Sequence, residues 1–249
     1  MGVLVDHSKR SRVIQSSRLN PSRCLATKLA DVLPTNSWKG ETCFLIGGGP
    51  SLVGFDWKLL QGCKTIGTNK SFFYYPAEIN YSMDYSFFDL IQYAAAAPEH
   101  PDHKYHIAWI GYKGLKVFLR RDAKLRFAKD IYFVDVLKEK VVSRDLAKGL
   151  SPGNNTGIGA LMLAVALGCS RIGLLGYDFK IQGSKTHFHD GYRSQRSDAL
   201  VRNLEKFRRC LEEFADPLAK QGIEVVNLSP DSLLQRYPKS DIPTFLRGK

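Results

Sequence analysis

The sequence predicts an α/β fold in which helices flank a mostly parallel, twisted sheet. Three observations favour this class. The apolar run at residues 43–46 stops abruptly at three glycines, several later apolar segments also end in polar turns, and helical patterns lie between them. An uninterrupted apolar strand is typical of a parallel sheet that is covered on both faces. Ligands bind at the carboxyl ends of such strands, so the turns that follow them are the places to look for a site.

The first strand, residues 43–46, leads into the glycines Gly47, Gly48 and Gly49, followed by Pro50 and Ser51. Glycines let the backbone turn sharply and bring amide groups close to a ligand. With the helix predicted at residues 56–60, this turn has the elements of a phosphate site. The spacing departs from G-x-G-x-x-G because Leu52 stands at the third glycine position, so a purely structural turn stays the alternative.

Length and composition indicate a globular protein with a sizeable core. The chain has 249 residues, 44% hydrophobic and 24% charged, which excludes wholesale disorder. No apolar run approaches the roughly 20 residues that span a bilayer, and the first residues lack an apolar signal core. Five widely spaced cysteines favour reduced thiols over disulfides or zinc. We therefore expect a cytoplasmic protein with no membrane partner.

The net charge of +12 is concentrated in two regions. Residues 1–40 hold seven Lys or Arg against two acids, and residues 104–149 hold twelve against five. We divide the chain into a basic N-terminal arm, 1–38, and a single globular domain, 39–249, with a basic insert at about 111–149. The charge is either a solvated surface or a surface for a polyanion, most simply nucleic acid. Basic residues interleaved with aromatics make four candidates for nucleic-acid contacts: Arg120, Arg121, Lys124 and Arg126.

Two more strands are predicted at residues 64–67 and 79–83, and polar residues end them. Asn69 is a candidate for hydrogen bonds to a base or ribose, and Asp84 for a metal ion or a sugar hydroxyl. Turn chemistry and helix capping are the alternative roles of these two residues. A helix at 85–97 and strands at 105–110 and 131–136 are expected next.

A second region of interest begins before the apolar helix predicted at residues 158–167. Asn154, Asn155 and Thr156 stand where N-cap residues stand, and with Gly157 they form a second candidate site for an anion or ribose. The strand at 171–175 then ends at Gly176, Tyr177 and Asp178. Because working residues sit at this end of parallel strands, Asp178 is the carboxylate most expected at the site.

The polar loop after this strand carries His187 and His189. A neutral imidazole beside a hydroxyl is a natural general base, and an H-x-H pair with an adjacent acid is also a loose metal-site pattern. A long amphipathic helix at 197–220, a strand at 223–226 and a surface tail from Tyr237 complete the prediction.

The ordered set of motifs resembles one Rossmann-like superfamily, and the resemblance covers about residues 42–234. That superfamily contains bacterial sialyltransferases, flagellin nonulosonic-acid transferases, the archaeal 6-hydroxymethylpterin pyrophosphokinase and many uncharacterised phage proteins. The motifs that carry it are FLIGGGPSL, a strand ending in Asn69, Asp84, GNNTGIGALMLAVALGCSRIGLLGYDF, HFHD and NLSPDSLL.

The resemblance implies a transferase with a nucleotide-bound donor, a UDP-sugar or similar. It implies that residues 47–51 and Asn69 contact the nucleotide, that residues 155–157 hold its phosphate or ribose, and that His189, or secondly His187, deprotonates the acceptor. Gly48 stands where the sialyltransferases carry an Asn, which argues against a CMP-sugar. The phage members suggest a hydroxymethylated pyrimidine in DNA as acceptor, and the host cytoplasm as the location of a phage-encoded chain. One alternative is an enzyme that transfers pyrophosphate from ATP to a small alcohol such as 6-hydroxymethylpterin, with Mg²⁺ or Mn²⁺ on Asp84 and Asp178. The other alternative is a non-catalytic nucleic-acid-binding module.

Overall fold

A computed structural model describes residues 27–121, 130–189 and 197–248. Within these residues, eight strands form one sheet, and every neighbouring pair is parallel. The predicted α/β class with a Rossmann-like parallel sheet is therefore confirmed. In chain order the strands are β1 (Thr27–Lys28), β2 (Thr42–Ile46), β3 (Lys64–Thr68), β4 (Ile79–Ser82), β5 (Leu115–Arg120), β6 (Ile131–Asp135), β7 (Arg171–Leu175) and β8 (Glu224–Asn227).

The order of strands across the sheet is β1-β6-β5-β4-β3-β2-β7-β8. From β2 the chain builds outward through β3, β4, β5 and β6, then returns to place β7 on the other side of β2. The reversal creates a switch point between β2 and β7, where the loops leave their strands in opposite directions. Open α/β sheets bind ligands in the crevice at such a point.

Helices cover both faces of the sheet. Among the described residues they are α1 (Leu29–Val32), α2 (Tyr85–Gln92), α3 (His103–Gly111), α4 (Thr156–Ala166), α5 (Asp198–Glu212), α6 (Ala215–Lys220) and α7 (Ile242–Arg247). Short 3₁₀ turns at Pro50–Leu52, Trp57–Leu60, Asn69–Phe73 and Ala94–Ala96 connect them.

Strand β2 shows why helices pack on both faces of the sheet. All five of its residues are buried. Cys43 and Leu45 point into the cluster that contains α4, whereas Phe44 and Ile46 point into the cluster that contains α7. Nine residues of α4 are buried, so this helix is apolar on every side, as expected for a helix enclosed by other elements.

Two predicted elements differ from the structure around α3. Residues 105–110, predicted as a strand, lie in α3, where Tyr105 and Trp109 pack with Phe72 into an aromatic cluster. A short apolar run does not distinguish a strand from a buried helix. The helix predicted at 85–97 ends at Gln92, and a 3₁₀ turn follows it.

Two further predictions in the C-terminal part are wrong in detail. The helix predicted at 197–220 is interrupted after Glu212 and resumes as α6. The tail from Tyr237 is not surface, because Tyr237, Ile242 and Phe245 are all buried and α7 covers β2 and β7. The chain after residue 237 thus completes the core on one face of the sheet.

The described part of the basic insert contains two strands, β5 and β6. Phe118 on β5 and Phe133 on β6 are buried in the aromatic cluster with Trp109, so they cannot stack on bases. The strand predicted at 131–136 is confirmed as β6. Lys124, Arg126 and Phe127 lie outside the described residues.

Part of the predicted arm belongs to the sheet, because Thr27 and Lys28 pair with β6 and Leu29 is fully buried. The domain boundary at residue 38 stays a prediction. The described cysteines are Cys43, Cys63, Cys169 and Cys210, and none forms a disulfide with another. No helix in the described ranges has the length and apolar character needed to cross a bilayer.

Candidate functional site

A cleft of about 490 Å³ lies at the switch point, along the carboxyl ends of the strands. It crosses the ends of five neighbouring strands, from Arg121 after β5 to Asp178 after β7, a span of about 19 Å at ~4.8 Å per strand. The lining includes most of the predicted site: Gly47, Gly48, Gly49, Asn69, Asp84, Asn154, Asn155, Thr156, Gly157, Gly176, Tyr177, Asp178, His187 and His189. The fold thus brings together segments that are far apart in the sequence.

The glycine corner is required by the close approach of β2 to β7. A Cβ added to Gly47 would lie 2.6 Å from the Gly176 carbonyl, and one on Gly49 would lie 1.8 Å from Asp178 Oδ2. The N–H groups of Gly47 and Gly49 donate to the carbonyls of Leu175 and Gly176, at 2.7 and 2.8 Å. Of the three amides, only that of Gly48 donates to no other described residue, because the other two are engaged in the contact between the ends of β2 and β7.

Asp178 is held by Ser51, a predicted donor-binding residue that does not line the cleft. The Ser51 N–H and hydroxyl both donate to Asp178 Oδ2, at 3.1 and 2.9 Å. Asp178 is 1% exposed, and its Oδ1 has no hydrogen-bond partner among the described residues. Burial raises the pKa of this carboxyl, while the two Ser51 bonds act in the opposite direction. Ser51 and Pro50 therefore stand behind the cleft, and Asp178 has one oxygen left for a ligand donor.

Asn69 is fixed in the left-handed region, with φ 50, which Asn tolerates better than most residues. Its Oδ1 accepts from the Ser82 hydroxyl at 2.7 Å, and its carbonyl accepts from Asn80 Nδ2 at 3.0 Å. Asp84 caps α2, because its Oδ1 accepts from the Ser86 N–H at 2.9 Å. Both residues line the cleft while serving the turn and capping roles that the sequence left open.

The N-terminus of α4 opens onto the same cleft. Asn155 is its N-cap and accepts from the Ile158 N–H at 3.1 Å, and it donates to Asn154 Oδ1 at 3.2 Å. The N–H groups of Thr156 and Gly157 have no acceptor within the helix. They and the positive end of the helix dipole favour an anion here, whereas the two Asn side chains are engaged with the protein.

His187 and His189 occupy the side of the cleft next to the glycine corner. The His187 ring lies where a side chain on Gly48 would be, 2.9 Å from the added Cβ to its Cδ2. Its Nδ1 is 3.0 Å from the Thr186 hydroxyl. His189 is 7% exposed and stacks on Tyr74, with ring centroids 5.1 Å apart. The two rings are 5.7 Å apart, so both can approach one substrate.

Both imidazoles are neutral near pH 7. Burial, with a smaller contribution from Lys70, lowers the pKa of His187 to about 4. Burial, then His187 and Lys70, lowers the pKa of His189 to about 3. Lys70 was not predicted from the sequence. It is 2% exposed, pairs with Asp102 at 3.2 Å and lies over the Tyr105 ring.

These pKa values predict a loss of stability in acid. Between about pH 6.5 and 4 the unfolded chain protonates both histidines while the folded chain does not, so the unfolded state binds more protons and stability falls as the pH falls. Each histidine adds about 1.4 kcal/mol per pH unit to this slope. Urea unfolding from pH 7 to 4 should therefore show a steeper fall for the wild type than for a His187→Asn/His189→Asn variant. Equal slopes would contradict the assigned pKa values.

The two described residues that were predicted to contact nucleic acid, Arg120 and Arg121, lie at different places. Arg121 lines the cleft, where its Nη2 is 3.7 Å from Met83 Sδ, and it makes no ion pair with another described residue. Arg120 lies outside the cleft, 2.6 Å from Asp135 and stacked over Phe133. Both arginines line a neighbouring groove with Lys138, Pro152, Val136 and the carboxylate of Asp135, which pairs with Arg120. Arg121 thus connects the cleft with a groove that holds three cationic side chains and one acidic one.

Several cleft residues were missed in the sequence: Thr68, Met83, Phe179, Lys180, Thr186, Leu200, Leu204 and Phe207. Leu200, Leu204 and Phe207 form one stripe of α5 at helical spacing, a signal that a helical projection of the sequence contains. Phe179 has φ 53, a strained conformation for an aromatic residue and one that is found at functional sites. Phe179 closes the Gly-Tyr-Asp-Phe sequence at the end of β7, but that pattern did not indicate its backbone conformation.

The described residues do not fit a divalent cation. Among them, no three His, Cys, Asp or Glu side chains lie close enough to hold a metal ion together. Asp84 uses Oδ1 to cap α2 and Asp178 uses Oδ2 to hold Ser51. We derive no step through Mg²⁺ or Mn²⁺.

Comparisons with known proteins give similarity at the level of structure. No protein-family model and no curated protein matches the sequence. The MAf glycosyltransferase from Magnetospirillum magneticum AMB-1 superposes with a TM-score of 0.50 and 10% identity. The chain shares its fold with a glycosyltransferase. The likeness covers 83% of this chain and 34% of the MAf protein, so the chain spans about a third of that protein's length.

A second solved structure, a point mutant of the α-2,3/8-sialyltransferase CstII, superposes with a TM-score of 0.45 and 18% identity over 80% of this chain and 86% of CstII. At 10% identity, the likeness to the MAf protein concerns the fold alone.

Proposed function

We propose that this protein is a glycosyltransferase that takes a sugar from a nucleotide-sugar donor bound in the switch-point cleft. The observation that carries the proposal is the meeting, in one cleft, of an anion-binding helix N-terminus and a pair of neutral histidines. The first suits the phosphates of a donor, and the second suits activation of a hydroxyl. The fold shared with the MAf glycosyltransferase supports the same reading.

In the proposed reaction, the acceptor hydroxyl attacks the anomeric carbon of the sugar. The bond from that carbon to the donor phosphate oxygen breaks, and the electron pair leaves with the phosphate. His189, in its neutral form, takes the proton of the attacking hydroxyl, and His187 is the second candidate for this role. The N–H groups of Thr156 and Gly157 and the guanidinium of Arg121 stabilise the charge on the departing phosphate.

Stacking supports the choice of His189 as base. Tyr74 and Phe188 enclose its ring at centroid distances of 5.1 and 4.7 Å, and a catalytic group works best when packing fixes its orientation. The lowered pKa keeps the imidazole available as a base across the physiological range, although it also makes the imidazole a weaker base.

The acceptor is proposed to be anionic, because Arg121 joins the cleft to the groove that Arg120 and Lys138 also line. The anionic acceptor that the sequence suggested is DNA with a hydroxymethylated pyrimidine. The phosphates of such a DNA would bind along the groove, and its hydroxyl would lie in the cleft.

The test is a nucleotide-release assay with the full chain. UDP-, GDP- and CMP-sugars and ATP are each incubated with hydroxymethylated DNA, plain DNA or no acceptor, and the DNA nucleosides are analysed by mass spectrometry. We expect nucleotide release from one sugar donor that increases with acceptor. Release of AMP from ATP instead would favour the hypothesis that the protein is a pyrophosphokinase. Unchanged nucleosides in every mixture, with donor turnover intact, would remove DNA as acceptor.

A further inference from the structure

One helix, α5, contributes only apolar side chains to the lining of the cleft. Leu200, Leu204 and Phe207 of α5 line the cleft and repeat at i, i+4 and i+7, which places them on one side of the helix. All three are partly buried, whereas Val201 on another side of α5 is 44% exposed. We refer to the three side chains as the α5 wall.

The α5 wall is not part of the protein core. None of its three residues belongs to the apolar clusters formed by the described residues. Within α5 only Leu211 is buried, so the helix is anchored near its C-terminal end while its first turns border the cleft. Apolar side chains that serve no core contact and line a cleft indicate a surface for a ligand.

A hydrogen bond sets this wall beside the anion-binding end of α4. Asn154 Nδ2 donates to the carbonyl of Lys206, on α5, at 3.5 Å. The N–H groups of Thr156 and Gly157, which donate to no other residue in the described ranges, follow two and three residues later in the chain. An apolar face therefore adjoins an anion-binding position, and these are the two chemical features that a nucleotide combines.

The length of the α5 wall along the helix suits a planar ring such as a nucleobase. Three residues that span positions 200–207 cover about 10 Å of helix at 1.5 Å per residue. That length suits a nucleobase better than a long acyl chain, and the aromatic ring of Phe207 offers a stacking partner that a base of any sequence accepts.

We propose that the α5 wall binds the nucleobase of the donor, with Phe207 as its stacking partner. The inference rests on the proposed function, because it assumes a nucleotide in the cleft. It adds that donor affinity is set in part by α5, an element that carries none of the residues predicted from the sequence.

The experiment compares Phe207→Ala and Leu204→Ala with Val201→Ala, a substitution on an exposed position of the same helix. Dissociation constants for UDP, GDP, CDP and ADP are measured by calorimetry on the full chain. For the nucleotide that the wild type binds, we expect Phe207→Ala to weaken binding about 10- to 100-fold, Leu204→Ala to weaken it less, and Val201→Ala to leave it unchanged.

A tryptophan probe distinguishes contact from a loss of folding. In Phe207→Trp the new indole lies at the proposed stacking position, and in Val201→Trp it lies outside the cleft. The bound nucleotide should quench the emission of Phe207→Trp more than that of Val201→Trp, relative to the native tryptophans in the wild type.

Two results would overturn the inference while leaving the proposed function intact. One is wild-type nucleotide affinity in both Phe207→Ala and Leu204→Ala. The other is equal quenching of the two tryptophan variants. A wild-type protein that binds none of the four nucleotides and turns over no nucleotide sugar would instead remove the proposed function, and the inference with it.

Discussion

Replacement of His189 by alanine should lower kcat about 10²- to 10⁴-fold, which is the usual contribution of a general base. The donor KM should change little, because the predicted phosphate contacts come from α4 and Arg121 rather than from His189. Initial rates of nucleotide release at saturating acceptor, together with the donor KM, measure both effects.

His187→Ala is the matched comparison, since this ring lies in the same loop, 5.7 Å away. It should reduce kcat less than His189→Ala does. A larger loss in His187→Ala would reassign the base to His187. Near-wild-type turnover in both single variants and in the double variant would exclude a histidine base in this loop.

The second large effect is expected from Gly49→Ala, and it concerns folding. The new methyl group would lie 1.8 Å from Asp178 Oδ2 and 2.6 Å from the Gly176 carbonyl, so β2 and β7 could not keep their present separation. The two bonds from Ser51 to Asp178 would also be displaced. Because overpacking alone typically costs 1–3 kcal/mol, we expect destabilisation of about 3 kcal/mol or more, measured by urea unfolding.

Gly111→Ala is the control for this substitution. A Cβ at Gly111, the last residue of α3, has no heavy atom within 4 Å. Its free energy of unfolding should stay within about 1 kcal/mol of the wild type. A Gly49→Ala protein as stable as Gly111→Ala would mean that the glycine corner does not hold the two strands in close contact.

The site could be predicted in outline because its pieces follow a rule of parallel sheets. Gly47 and Asn69 come directly after a strand, and Asp84 and Asp178 follow within three residues of one, so recognition of the strands was enough to assign these residues to one edge. The helix N-cap at Asn155 was likewise visible, since an Asn-Asn-Thr sequence precedes a long apolar segment. These local signals required no knowledge of distant contacts.

Other parts of the site depend on which chain segments approach one another. Lys70 looked like a turn residue, yet it is buried beside both histidines and lowers the pKa of each. Ser51 was expected to contact the donor, yet its hydroxyl donates to Asp178 from behind the cleft. Neither partnership has a sequence signature, because the partners are more than a hundred residues apart.

The sequence by itself determined the parallel α/β class, the positions of most strands and the residues at their carboxyl ends, because periodicity and turn chemistry act over a few neighbouring residues. Only the tertiary structure decided that β7 returns to the side of β2, that Gly47 and Gly49 are needed for the close contact between them, and that α5 supplies an apolar wall. Those features arise from packing between segments distant in the chain, where the energy of each residue depends on neighbours that its local sequence does not specify.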